Sequence, residues 1–267
     1  MAVGPLAPID RATLAYAAVA LAFNLARGPR AWPSVVLLPF GLLAVGLYTH
    51  VGLVNAAGGA SHDALVQGWE AALFGGQPSI EWIRAFASPG WSTLMHGAYL
   101  SYYVILVAAP LGLWLAGRRP AARQTLLRVM VAFYACYTAF LAFPVAGPRY
   151  LFPPAANAAT AVPLAVLTHR LLEGGSAWGT AFPSSHVAAA LVASVSAWRG
   201  WRPLGAVLVP AAVLLSFATV YGQLHYAVDA VAGAVVAAIV IGWRWTGYDS
   251  PPGVPDAGIT TPGDLPP

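Results

Sequence analysis

The residues best suited to chemistry are two histidines and an aspartate that lie within or beside apolar stretches, where burying an ionisable group is costly. His186 ends the segment FPSSH, residues 182–186, and His225 precedes Asp229 by four residues. A carboxylate that accepts the proton of one imidazole nitrogen leaves the other nitrogen with an oriented lone pair. That nitrogen can attack phosphorus and form a phosphohistidine. The spacing therefore predicts that His225 is a nucleophile and that Asp229, on the same helical face, orients it.

The segment around His186 supplies groups that suit a phosphate. Backbone N–H groups at the start of a helix attract phosphate oxygens, and Ser184 and Ser185 add two hydroxyl donors. Arg149 follows the end of an apolar stretch, and its guanidinium can clamp a phosphate. His186 itself is suited to protonate a departing alkoxide and then to deprotonate the incoming acceptor. Together these residues predict phosphoryl transfer without a metal or another cofactor.

Other polar side chains near these positions are weaker candidates. His96 shares a predicted helix with three tyrosines, and the remaining candidates are neighbours of Arg149 or His225. We predict that four side chains line the cavity: Tyr150, Thr219, Tyr221 and His96. The single cysteine, Cys136, lies in an apolar run and is expected to be a buried apolar side chain.

The composition requires a membrane environment for most of the chain. Of the 267 residues, 59% are hydrophobic and 8% are charged, whereas a soluble domain usually carries about 25% charged residues. All basic residues are arginines, and the net charge of +4 comes from a few short clusters. This pattern excludes a nucleic-acid-binding surface and indicates basic loops beside a lipid bilayer.

Apolar stretches long enough to cross a bilayer predict an all-α, polytopic membrane helix bundle. Six core transmembrane helices are expected, with a reversal at 221–223 between the last two, and an extra N-terminal helix is expected at 12–26. We predict one catalytic membrane domain over 1–244, with its core at about 33–244 and an interfacial segment at about 58–90. A disordered tail rich in proline and glycine is expected at 245–267. The apolar stretches run over 31–62, 85–117, 129–148, 174–198, 203–228 and 229–243.

Arginine placement predicts the orientation of the bundle. Clusters at 118–128 and 199–202, together with Arg244, fall on one side of an alternating helix map, and that side is expected to be cytoplasmic. The candidate site and the segments 58–90 and 147–181 then face the extracytoplasmic side, and the C-terminus lies in the cytoplasm.

At the candidate residues the chain resembles the type 2 phosphatidic acid phosphatase superfamily of membrane lipid phosphatases and phosphotransferases. Residues 183–186 match the family motif PSGH with serine in place of glycine. His225 and Asp229 match the end of the motif SRxxxxxHxxxD, whose Ser-Arg pair reads Ala218-Thr219 here. The resemblance implies a six-helix core in which His225 is the nucleophile, Asp229 its partner and His186 the general acid.

The departures from the family pattern bear on the substrate. In the motif KxxxxxxRP only Arg149 is retained, with Ala142 and Tyr150 at the lysine and proline positions. The lysine of this motif and the arginine of the Ser-Arg pair are both absent, with Ala142 and Thr219 in their places. A site that has lost these two cations should favour a phosphodiester, whose phosphate carries one negative charge, over a monoester dianion. The segment 147–150 and the pattern around Thr219 and Tyr221 resemble the branch that contains fungal inositol phosphorylceramide synthases. That branch implies transfer of a phospho-headgroup between lipids.

Three classes of function are left open by the residues. A lipid phosphatase and a headgroup transferase differ in whether water or a lipid hydroxyl reaches the phosphohistidine. A metal site could use His186, His225 and Asp229 as ligands, although a metal would not account for the serines and Arg149. A transporter that keeps a non-catalytic phosphate site is the third class. For the enzyme, which the residues favour, the expected partners are the lipid bilayer and a membrane lipid carrying a phosphate ester.

Overall fold

The structure is a computed structural model that describes residues 46–243. The predicted helix at 12–26 and the predicted tail at 245–267 lie outside the described residues. The helices within the described range are α1 (46–58), α2 (Asp63–Phe74), α3 (Pro78–Ala85), α4 (Pro89–Leu115), α5 (Arg119–Ala142), α6 (Pro148–Leu151), α7 (Pro163–Gly175), α8 (Ser185–Gly200), α9 (Arg202–Tyr221) and α10 (Ala227–Gly242).

The described part of the chain is all-helical, as predicted, and several helices are suited to a membrane. Between residues 46 and 243, α4, α5 and α9 are long and apolar enough to cross a bilayer. The apolar helix α10 is shorter, with 16 residues. The count of six core spans stays a prediction.

Helix α8 lies at the centre of the bundle and packs against α4, α5, α9 and α10. Its buried positions carry mainly alanine, serine and valine. Small side chains let neighbouring helices approach closely, which favours association in a lipid environment. Since His186 is the second residue of α8, the best-packed helix of the bundle carries one of the two candidate histidines.

Two helix boundaries differ from those expected from apolar stretches. Helix α5 begins at Arg119 rather than near residue 129, because a helix can continue beyond the lipid where its side chains are polar, and Pro120 suits its first turn. Helix α8 begins at Ser185, where the FPSSH segment predicts a helix start, although the apolar stretch itself begins near residue 174. The residues before it form an irregular segment that pairs with another part of the chain, as described below.

The arginine clusters lie at one end of the bundle. Gly200, at the end of α8, lies against Leu113 of α4 and Ala121 of α5. Arg199 donates a hydrogen bond of 2.9 Å to the Ile241 carbonyl near the end of α10. We call this the arginine end, defined by the exposed arginines 118, 119, 123, 199 and 202. The clusters within the described range therefore lie at the same end of the bundle, and the side of the membrane that this end faces stays a prediction.

The predicted reversal before His225 is also present. Helix α9 ends at Tyr221, and Gln223 has a φ of 58°. The N–H groups of Leu224 and His225 donate to the Thr219 carbonyl at 3.0 and 3.1 Å. The chain therefore reverses between α9 and α10, and this turn places His225 just before α10, at the end of the bundle opposite the arginines. We call this the site end.

Helix α2 occupies the segment predicted to be interfacial and packs against the bundle. Trp69 stacks on Phe143, with ring centroids 5.8 Å apart and an angle of 7° between the rings. Its opposite face buries Asp63, Val66 and Glu70. The inward direction of the two carboxylates was not predicted, and the position of this segment at the membrane interface stays a prediction.

Candidate active site

Three segments from distant parts of the chain form the candidate site: 145–149, 180–186 and 219–229. Val145 and Thr180 form an isolated parallel β-bridge, and the Ala181 N–H donates to the Val145 carbonyl at 2.9 Å. The Ser184 N–H donates to the Asp229 carbonyl, also at 2.9 Å. These backbone contacts join the segments that carry Arg149, His186 and His225, which are far apart in sequence.

The three segments, with side chains from α1, α4 and α7, line a small open cavity of about 30 Å³, enough for a water molecule or two. Arg149, His186 and His225 all line it. The rings of the two histidines are 5.6 Å apart between centroids and lie at 61° to each other. The structure thus brings together the cation and both histidines that the sequence singled out. The other lining residues are Tyr48, Tyr99, Ala146, Leu172, Thr180, Ala181 and Leu224.

His225 is held through one ring nitrogen, which leaves the other available. Its Nδ1 lies 3.0 Å from the Ala181 carbonyl oxygen, to which a protonated Nδ1 donates. Nε2 then carries the lone pair. Burial lowers the pKa of His225 to about 4, although the Ala181 carbonyl opposes this shift. The imidazole is therefore neutral at pH 7, the form that a nucleophile requires.

Asp229 contacts His225 less directly than expected. Its Oδ2 lies 3.4 Å from Nδ1 of His225 and accepts a shorter hydrogen bond of 2.8 Å from the Tyr226 N–H. The expectation that both residues share a helical face is wrong, because α10 begins only at Ala227 and Asp229 closes a capping box at its start. Asp229 is completely buried. At 3.4 Å its carboxylate is still close enough to stabilise an imidazolium at His225.

His186 lies at the start of α8, as predicted, with Ser184 as the N-cap. Its Nε2 is 3.3 Å from the Tyr99 hydroxyl, and the Tyr102 ring packs 4.5 Å from its own ring between centroids. Its Nδ1 is buried and has no hydrogen-bond partner among residues 46–243. If Nε2–H donates to the Tyr99 oxygen, Nδ1 is left for a substrate oxygen, to which it donates when the ring is protonated and from which it accepts a proton when the ring is neutral.

Arg149 lies in the short helix α6, directly after a turn that only glycine adopts easily. Gly147 has a φ of 93°, and a Cβ there would lie 3.0 Å from that of Ala181. Within the described residues, the Arg149 Nη1 is buried without a hydrogen-bond partner. An orphaned guanidinium nitrogen beside two histidines is suited to an anionic oxygen.

The two serines of the FPSSH segment do not line the cavity. Ser184 is fully buried, and its Oγ accepts a hydrogen bond of 3.4 Å from the Val187 N–H. Ser185 is also buried, with 4% of its surface exposed. Ser184 therefore acts here as the cap of α8, and contact of either serine with phosphate stays a prediction.

The four side chains predicted to line the cavity lie outside its immediate wall. Tyr150 is exposed and its hydroxyl is 2.7 Å from the Ser176 Oγ. The Thr219 Oγ1 donates to the Ser216 carbonyl and the Tyr221 hydroxyl to the Phe86 carbonyl, each at 2.8 Å. His96 is buried beside His169, with ring centroids 6.2 Å apart. These residues therefore support the surrounding turns and helices.

Several residues near the site were missed by the sequence analysis. Tyr99 and Tyr48 line the cavity, and Ala181 orients His225 through its backbone. Asp63 and Glu70, the α2 carboxylates, accept hydrogen bonds from the segments next to Arg149 and His225. Acidic residues in an apolar chain were an available signal for the α2 carboxylates. A backbone carbonyl such as that of Ala181 leaves no signal in side-chain identity.

Among residues 46–243, no group of three histidine, cysteine or carboxylate side chains is arranged to hold a metal ion. Cys136 is buried, as predicted. The polar groups that face the cavity are those of an anion site.

Comparison with known proteins agrees with this chemistry. No curated protein and no solved structure is significantly similar to the chain. The model of the PAP2 superfamily, however, matches residues 66–243, which is well over half of the chain and includes Arg149, His186, His225 and Asp229. Members of this superfamily are generally phosphatases or phosphotransferases. The chain belongs to the PAP2 superfamily.

Proposed function

We propose that this protein is a membrane enzyme that transfers the phosphoryl group of a lipid phosphate ester through a phosphohistidine at His225. The observation that supports this most is the shared cavity of Arg149, His186 and His225. Family membership supports a phosphatase or phosphotransferase, and the cavity contains a suitable nucleophile, proton donor and cation.

The proposed reaction has two displacements at phosphorus. In the first, Nε2 of His225 forms the N–P bond while the P–O bond to the leaving group breaks. His186, protonated as the imidazolium, gives its Nδ1 proton to the departing oxygen and becomes neutral. In the second, His186 takes the proton of an incoming hydroxyl, whose oxygen attacks phosphorus as the N–P bond breaks. Arg149 offsets the negative charge on the phosphoryl oxygens in both steps. Asp229 stabilises the positive charge that develops on His225.

We further propose that the bundle has six core spans and that its site end faces the extracytoplasmic side, with the C-terminus in the cytoplasm. The separation of the arginine end from the site end supports this orientation, because cytoplasmic loops carry an excess of arginine. The substrate would then enter from the outer leaflet of the bilayer.

A phosphodiester is the favoured substrate class. Arg149 is the one arginine among the described residues that line the cavity, and no lysine occurs in the chain. A single cation balances the single charge of a diester better than the two charges of a monoester. We therefore favour transfer of a phospho-headgroup to a lipid hydroxyl, in the manner of the inositol phosphorylceramide synthase branch, over hydrolysis.

The proposal is tested by offering purified protein in detergent a panel of lipid phosphomonoesters, diphosphates and phosphodiesters, with and without a lipid alcohol. Headgroup transfer from a diester is the expected result. Efficient phosphate release from monoesters, with no action on diesters, would contradict the transferase and leave the phosphatase. If no lipid in the panel is turned over, a transporter or binding protein becomes the better interpretation.

The variant His225→Asn tests the nucleophile. An asparagine amide can still donate to the Ala181 carbonyl, so the turn should survive while the nucleophilic nitrogen is lost. We expect turnover to fall by at least about a thousandfold, as when the nucleophile of a catalytic unit is removed. An acid-labile phosphoprotein should form in the wild type and not in the variant. Turnover that survives this substitution in folded protein excludes His225 as the nucleophile.

A further inference from the structure

We propose that Asp63 is a positioning residue that holds Arg149 and His225 at their working separation. This inference rests on the proposed function, since it concerns the same site. Asp63 is the first residue of α2 and precedes the range matched by the family model.

The Asp63 carboxylate accepts hydrogen bonds from two separate parts of the site. Oδ2 accepts from the Ala146 N–H and Oδ1 from the Gly147 N–H, each at 2.8 Å. Oδ1 also accepts from the Tyr226 hydroxyl at 3.0 Å, and Oδ2 from the Ser61 hydroxyl. Only 4% of the Asp63 surface is exposed. Both oxygens are therefore bound to donors inside the protein.

These partners are the neighbours of the reacting groups. Gly147 precedes Arg149 by two residues, and Tyr226 directly follows His225. Asp63 itself is not among the residues that line the cavity. It therefore acts through the backbone that carries Arg149 and through the side chain next to His225. Because one carboxylate binds both segments, a shift of either segment relative to the other breaks a charge-assisted hydrogen bond in a buried environment.

The rest of the inner face of α2 strengthens the same link. The Gln67 amide donates to the Tyr226 hydroxyl at 3.0 Å. Glu70, two turns after Asp63, accepts from the Ala227 N–H at 2.8 Å and from the Ser79 hydroxyl at 3.0 Å. Burial raises the pKa of Glu70. Three side chains of α2 thus form hydrogen bonds to the residues that follow His225. Of these three, Asp63 also accepts hydrogen bonds from the Arg149 segment.

A positioning role and a purely structural role predict different kinetics. If Asp63 only stabilises the fold, its variants should lower the melting temperature and leave kcat and KM of the folded fraction unchanged. If Asp63 sets the distance between Arg149 and His225, kcat should fall in protein that remains folded, because a misplacement of about 1 Å can cost on the order of a hundredfold in rate.

The test uses Asp63→Asn and Tyr226→Phe in the full-length protein, with the lipid that the wild type turns over. Asp63→Asn turns one acceptor into a donor that faces a backbone N–H, and we expect kcat/KM to fall about 10- to 100-fold. Tyr226→Phe removes the Asp63 link to the residue after His225, together with the Gln67 contact of the same hydroxyl, and leaves the bonds of Asp63 to the Arg149 segment intact. We expect a fall of about fivefold, on the order of one hydrogen bond. The double variant should be little worse than Asp63→Asn, since the Asp63–Tyr226 contact is lost in both single variants.

The matched control is Glu81→Gln, which removes an exposed carboxylate from the neighbouring helix α3. Its kcat/KM should stay within about twofold of the wild type. Should Asp63→Asn fail to fold, Tyr226→Phe still decides the question. Wild-type kcat in every variant that folds, or losses that multiply in the double variant, would overturn the inference. A wild type that turns over no lipid contradicts the proposed function instead.

Discussion

The two ends of the bundle carry their charges in different ways. At the arginine end, the side chains at 118, 119, 123, 199 and 202 are exposed. At the site end, Asp63, Glu70, His225 and Asp229 are all buried. An exposed charge is hydrated whichever way its side chain points, whereas a buried charge is stable only with defined partners.

This difference shows where the identity of a charged residue matters. In the proposed orientation the arginine end requires only positive charge near the membrane surface, and any of several exposed positions can supply it. The site end needs particular groups at particular distances, because its buried polar groups depend on defined partners within the protein. We therefore expect substitutions at the site end to affect chemistry and stability, and equivalent substitutions at the arginine end to affect neither.

The largest contrast is expected from removing one arginine at each end. Arg149→Gln should lower kcat/KM by about 10²–10³-fold, or about 3–4 kcal/mol, as for loss of one donor to a developing oxyanion. Arg119→Gln, at an exposed position of α5, should leave it within about twofold. Steady-state kinetics on both variants checks this prediction. Equal losses would mean that Arg149 acts only through the general field of the protein.

Acid should weaken the site end, because a buried histidine titrates there. His225 has a folded-state pKa of about 4, against about 6.5 in an unfolded chain. The unfolded state binds more protons between these values, so stability is full above about pH 6.5 and is lost as the pH falls towards 4, by on the order of 3 kcal/mol.

Thermal unfolding in detergent at pH 7.5 and pH 4.5 measures this loss. The variant His225→Asn, which cannot titrate in that range, should lose less stability than the wild type. Identical pH dependence in the two proteins would show that His225 is not buried in its neutral form. Arginines do not titrate in this range, so the exposed charges of the arginine end should contribute nothing to the difference.

Helix α10 offers a comparison of the two ends within one element. A Cβ added at Gly233 would lie 2.4 Å from the Ser184 carbonyl oxygen, whereas one added at Gly242 would meet nothing within 4 Å. Gly233→Ala should force α10 away from the start of α8 and cost about 1–3 kcal/mol. Gly242→Ala should be neutral or slightly stabilising. If the two variants have the same melting temperature, the close approach of α10 to the start of α8 is contradicted.

The smallest effect is expected at Tyr99, whose hydroxyl contacts His186. Tyr99→Phe should lower kcat about fivefold, or about 1 kcal/mol, because His186 loses one hydrogen bond that fixes its proton. Tyr103→Phe, an exposed position on the same helix, is the control and should be close to wild type. A normal kcat for Tyr99→Phe would mean that the ring packing of Tyr102 alone positions His186.

Much of the fold followed from the length and order of apolar stretches. The helices near 85–117, 203–221 and 227–243 were predictable because a bilayer imposes a minimum apolar length. The start of α5 at Arg119 was not, because the end of an apolar stretch marks the edge of the lipid and not the end of the helix. The irregular segment before Ser185 could not be recognised from the apolar stretch, because it is apolar itself; the FPSSH segment indicated the helix start instead.

The sequence by itself determined the all-helical class, the end of the bundle that holds the arginines, and the choice of Arg149, His186 and His225. Those features depend on local composition and on residue types whose chemistry is rare in an apolar chain. Only the tertiary structure decided that Ala181 orients His225, that Tyr99 contacts His186, and that Asp63 joins the Arg149 and His225 segments. These contacts link residues 44, 87 and up to 163 positions apart. Local spacing carries no information about pairs so distant, because packing of the whole bundle brings them together.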